Sequence, residues 1–97
     1  MENKSGNKIT ELEDQIQKVI VMLEEENHHN PNSMVELLIK RYRNAFDIVE
    51  KSKDLSELSP SDFHIIGGTR AYIDSSSNYD NPVLEEMHKT EQLVKKI

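Results

Sequence analysis

The sequence predicts an all-α fold, a small antiparallel four-helix bundle, on three observations. Apolar residues recur every three to four positions, turn-forming clusters holding proline or glycine separate the periodic segments, and no set of segments offers the third strand that a stable sheet needs. With 97 residues the chain has room for one core. Hydrophobic residues make up 35% and charged residues 31%, so that core must come from amphipathic helices.

Residues 1–8 are polar and read as a flexible N-terminal arm ahead of a single helical domain over 9–97. Thr10 and Glu13 have the spacing of a capping box, and Leu12, Ile16, Val19, Ile20 and Leu23 follow at helical spacing, which predicts helix 1 from about Ile9 to Glu26. The run from Asn27 to Asn32, with Pro31 near its end, is a connection. Ser33 and Glu36 repeat the capping spacing, and Val35, Leu38, Tyr42, Ala45, Phe46 and Val49 give helix 2 its apolar side, from about Met34 to Lys51. Leu55 and Leu58 tuck the next turn onto the core.

Ser59-Pro60-Ser61-Asp62 reads as a helix start, with a hydroxyl cap, a proline in the first turn and an acid beside it. Helix 3 would then cover Phe63 to Ile73. It contains Gly67-Gly68, and two glycines inside a helix cost about 1 kcal/mol each relative to alanine, so a short hairpin around the pair is the alternative. Close approach to a neighbouring helix would explain the glycines. A polar loop from Asp74 to Asp80 leads to Asn81-Pro82, which caps a last helix carrying Val83, Met87, Val94 and Ile97. Short connections between four helices imply an up-down-up-down arrangement.

Charge and composition narrow the function. A net charge of −6 and a pI near 5.1 argue against nucleic acid and anionic membranes, whose binders are usually basic. Lys40, Arg41 and Arg43, with Lys51 and Lys53 beyond, wrap around helix 2 instead of forming a stripe. The absence of cysteine removes disulfides, thiolate catalysis and thiolate-bound zinc. No leader and no spanning apolar run is read at the N-terminus, so a cytoplasmic location is expected. Serines are plentiful, yet no nucleophile elbow or phosphate-cradling loop occurs, and no enzyme and no cofactor is expected.

Two metal patterns compete with a binding role. Glu-x-x-His, the spacing of carboxylate-bridged di-metal bundles, occurs as Glu25 with His28, Glu26 with His29 and Glu85 with His88, at a pole where Glu36 and Asp74 would add carboxylates. Helical phase opposes it, because Glu85 points away from the core of its helix and the histidines lie well off the helix 1 stripe. Asp74, Ser76, Asn78, Asp80 and Glu85 occupy ligand places of a calcium loop, but Tyr79 stands where glycine is needed and Pro82 takes the ninth place. A metal-binding pole is the alternative function.

The leading expectation is a non-enzymatic protein-protein interaction or regulatory module. Leu37 and Ile48 fall off the main stripe of helix 2 and Val21 falls opposite that of helix 1, so these helices carry surplus apolar surface. Val21, Leu37 and Ile48 are the expected anchors and Arg41 the polar specifier, toward a protein partner or a second copy in a homodimer. Arg70, Tyr72 and Tyr79 with the serine loop form a second candidate surface. In size, acidity and helical build the chain is similar to immunity proteins of bacteriocin producers and to small inhibitors of bacterial regulators, a likeness that no motif carries.

Overall fold

The computed structural model describes residues 4–52, 58–59, 62–75 and 81–96. Four helices and no strand occur among them: α1 (Lys4–His29), α2 (Ser33–Lys51), α3 (Gly68–Ser75) and α4 (Val83–Lys95). The all-α bundle expected from periodicity is therefore present. Its helices are unequal, with 26, 19, 8 and 13 residues.

α1 is the spine, packed against both α2 and α4, while α3 closes the ring by resting on α2 and α4. Cross-helix contacts fix the directions. Glu24 pairs with Arg43 of α2, Glu26 accepts a hydrogen bond from Asn81 Nδ2 just before α4, and Gln15 Nε2 donates to the Glu86 carbonyl farther along α4. α2 and α4 thus both run antiparallel to α1. Ile9, Leu12, Ile16, Val19, Ile20 and Leu23 form the buried stripe of α1, facing Val35, Leu38, Ile39, Tyr42, Ala45 and Val49 of α2. Val83, Met87 and Val94 complete the core from α4.

Three element boundaries differ from the sequence expectation. α1 begins at Lys4, so Thr10 sits inside it and does not cap it. No proline interrupts residues 4–9, and Ile9, buried just before Thr10, anchors the earlier turn to the core. Residues 4–8 of the expected arm therefore have helical backbone, while residues 1–3 lie outside the described residues. At α2 the cap is Asn32 rather than Ser33. Its extended backbone lets Oδ1 accept from the N–H groups of Met34 and Val35, and its own N–H donates to Asn27 Oδ1.

The third difference is the largest. Asp62 does not open a long helix: its N–H donates to the Ser59 carbonyl while Ser59 N–H donates to Asp62 Oδ2, a closed local turn. Residues 63–67 are irregular, with Phe63 and Ile65 buried, and helix resumes only at Gly68. Gly67 has φ +90°, a left-handed conformation that costs a side chain and ends any continuous helix over 63–73. Gly68 serves another purpose. A Cβ placed on it would meet Leu38 Cδ2 at 3.2 Å and Met87 Cε at 3.5 Å, so the missing side chain lets α3 approach α2 and α4. The pair is both a turn and a helix crossing, and no hairpin forms in the described residues.

Candidate functional site

α3 is held by polar contacts buried among apolar ones. Glu91 of α4, only 7% exposed, accepts hydrogen bonds from Gly67 N–H at 3.2 Å, Thr69 N–H at 2.9 Å and the Thr69 hydroxyl at 2.6 Å. One carboxylate thereby caps the start of α3 from a neighbouring helix, placing negative charge at the positive end of the peptide dipoles. The Tyr42 hydroxyl is buried nearby and has no hydrogen-bond partner among the described residues. Burial first, and then the charge of Glu91, push its ionisation well above the usual phenol range. Tyr42 stays neutral.

A second polar contact joins α4 to α1. Gln15 Nε2 donates to both the carbonyl and Oε1 of Glu86, each at 3.0 Å, and Lys18 and Lys89 place ammonium groups 3.5 and 3.6 Å from its carboxylate. The Gln15 hydrogen bond is the main cause holding the Glu86 carboxyl below the usual carboxylate range, aided by the two lysines against the opposing push of burial. The Asn81 side chain ties three elements, donating to Glu26 Oε1 and to the Tyr72 hydroxyl and accepting from Val83 N–H at the start of α4. These groups are satisfied by the fold. They hold it together.

Sequence periodicity did not single out Glu86, Thr90 or Glu91. Their spacing was nevertheless a signal, because positions 83, 86, 87, 90, 91 and 94 share one face of a helix and half of them are polar.

The expected anchors separate on inspection. Val21 is 46% and Leu37 39% exposed, and Arg41 is exposed. Ile48 is half-buried and packs against the core, so it is less accessible than Val21 and Leu37. Tyr72 is 1% exposed and belongs to the core, not to a surface. Helix starting at Gly68 rather than Phe63 is the reason: with Gly68 packed inward, the residue four later on the same face turns inward too. Arg70 remains exposed, with its Nε 3.9 Å from Asp74 Oδ2, a solvated pair one turn apart. Tyr79 lies outside the described residues, as do most of the serine run and the centre of the calcium-like segment. Of the second candidate surface, Tyr72 is in the core and Arg70 is exposed.

The metal-binding pole does not assemble among the described residues, where no three histidine or carboxylate side chains come together. Glu26 is engaged by Asn81, while His28 and His29 stack edge to face at 5.6 Å.

What the fold does create is a groove that sequence reading missed. Lys40, Arg41 and Asn44 of α2 face Phe63, His64 and Ile66 of the irregular segment across a shallow cleft of about 500 Å³. Phe63 is buried beneath it, whereas Ile66 is 42% exposed. Leu37 lies one turn from Arg41 on the same side of α2. Neither Lys40 nor Arg41 forms an ion pair among the described residues, in contrast to Arg43, which pairs with Glu24. The groove is thus cationic and apolar on a chain whose net charge is −6. Ile66 was legible as an apolar residue, but only the turn at Gly67 sets it at the surface.

The molecule is, by class, a small antiparallel helical bundle with an open surface groove. The chain belongs to the YeeD family of uncharacterised proteins, whose family model matches residues 7–97. It is 40% identical over 88 residues to a protein of Bacillus subtilis (strain 168) described as "Uncharacterized protein YeeD", a match covering 88% of this chain and 87% of the relative. No solved structure matches. Among the described residues no helix is long and apolar enough to cross a membrane.

Proposed function

We propose that the chain is a cytoplasmic, non-enzymatic interaction module that binds a protein partner through the groove between α2 and residues 63–66. The observation that carries this reading is the exposed Ile66 in a groove with Lys40 and Arg41, which form no ion pair among the described residues, while Leu37 is exposed one turn from Arg41 on α2. Exposed aliphatics next to an arginine are what a protein interface uses as anchor and specifier. A shallow open cleft with a polar rim suits an extended or helical protein segment better than a small substrate, which needs an enclosed pocket.

The test is partner capture from the cytosol of the producing organism, comparing the native chain with a Leu37→Asp, Ile66→Asp double variant. Both residues are exposed, so the variant keeps its helical circular dichroism. The native chain is expected to retain a defined protein that the variant loses. Retention of the same proteins by both would overturn the proposal.

A further inference from the structure

The groove has a counterpart on the same molecule. At about 100° per residue, Asp14, Val21 and Glu25 fall within about 40° of one another on the outer side of α1, opposite its buried stripe. All three are exposed. Neither acid forms an ion pair among the described residues, and Lys18, the cation beside them, reaches instead toward Glu86 at 3.5 Å. One helix face therefore presents an exposed aliphatic with Glu25 one turn on and Asp14 two turns back, neither in an ion pair among the described residues. The groove presents the exposed Ile66 beside Lys40 and Arg41, which form no ion pair among the described residues.

From this complementarity we infer that the occupant of the groove is the outer face of α1 of a second copy of the chain. The inference rests on the groove being an interaction surface, as proposed above. Val21 would lie against Ile66 of the other copy, with Glu25, one turn farther along α1, facing Lys40 and Arg41, a helix laid in a groove. Opposite charges on the two surfaces offset the mutual repulsion of two acidic chains, which salt at physiological strength screens beyond about 8 Å. Because the two surfaces differ, the contact is head-to-tail, and it closes only if both copies can make it at once or a ring forms.

Sedimentation of the full chain from about 10 μM to about 1 mM, the range of weak protein association, tests this. The native chain is expected to rise in mass above 11.2 kDa with concentration. A Lys40→Glu, Arg41→Glu variant and an Asp14→Lys, Glu25→Lys variant are each expected to associate about tenfold more weakly or not at all. An equimolar mixture of the two is expected to associate again, since each then meets its opposite charge. Circular dichroism verifies folding, and Lys40→Gln, Arg41→Gln replaces the first variant if reversal unfolds it. A native chain that stays at 11.2 kDa throughout overturns the inference, as does association indifferent to the reversals or a mixture that stays monomeric. A monomeric chain that still captures another protein through Leu37 and Ile66 would sink self-association alone and leave the interaction module standing.

Discussion

Glu91 on α4 accepts the N–H of Thr69 at 2.9 Å, so the eight-residue α3 receives its cap from another helix. A helix of this length is unstable alone, and its position depends on tertiary anchors. Glu91→Ala removes the acceptor of three part-buried hydrogen bonds at the start of α3. It is expected to cost about 2–3 kcal/mol in urea unfolding, and Thr69→Ala about 1 kcal/mol. Glu91→Gln, which keeps an acceptor oxygen, should fall between them.

The two adjacent glycines should respond differently to alanine. At Gly67 nothing lies within 4 Å of an added Cβ, so the cost comes only from its φ of +90° and is expected to be about 1–2 kcal/mol. At Gly68 the backbone is ordinary and the obstacle is the fully buried Leu38, 3.2 Å away. Gly68→Ala is therefore expected to cost about 1 kcal/mol, and Gly68→Ala with Leu38→Val to cost less than the two single changes together. Additive losses in denaturant unfolding would refute the close approach.

Tyr42→Phe is expected to leave stability unchanged or raise it by about 1 kcal/mol, since it deletes a buried hydroxyl that makes no hydrogen bond among the described residues and lies near the Glu91 charge. A loss of that size would mean that the hydroxyl is served by a buried water in solution.

Acid should weaken the α1–α4 contact. The folded-state ionisation of Glu86 is lowered from 4.5, chiefly by Gln15, so its stabilising share is complete above that value and is lost as pH falls through the lower folded value. Unfolding midpoints between about pH 6 and pH 3 should drop more steeply for the native chain than for Gln15→Leu. Parallel profiles would count against the Gln15–Glu86 link.

The long helices were legible because Ile16, Val19 and Leu23 on α1 and Leu38, Tyr42 and Val49 on α2 repeat at helical spacing and are all buried. Capping patterns misled where two polar residues competed. Asn32 and Ser33 both suit a cap, and the extended backbone at Asn32 decides between them. The segment from Phe63 to Gly67 was illegible because its conformation depends on a single left-handed glycine and on burial of Phe63 and Ile65 under distant helices. Of the site, Leu37, Arg41 and Val21 were visible as apolar or charged residues off the main stripes. Ile66 and His64 were not, since only the tertiary fold carries them to α2.

The most direct measurement of the central claim is in-cell photo-crosslinking with the reactive residue at position 66, compared with the same residue at exposed Glu50 on α2. A groove that binds protein predicts one discrete crosslinked species from position 66, absent when Leu37→Asp is added and absent from position 50. No crosslink at position 66, or equal labelling from both positions, would contradict it.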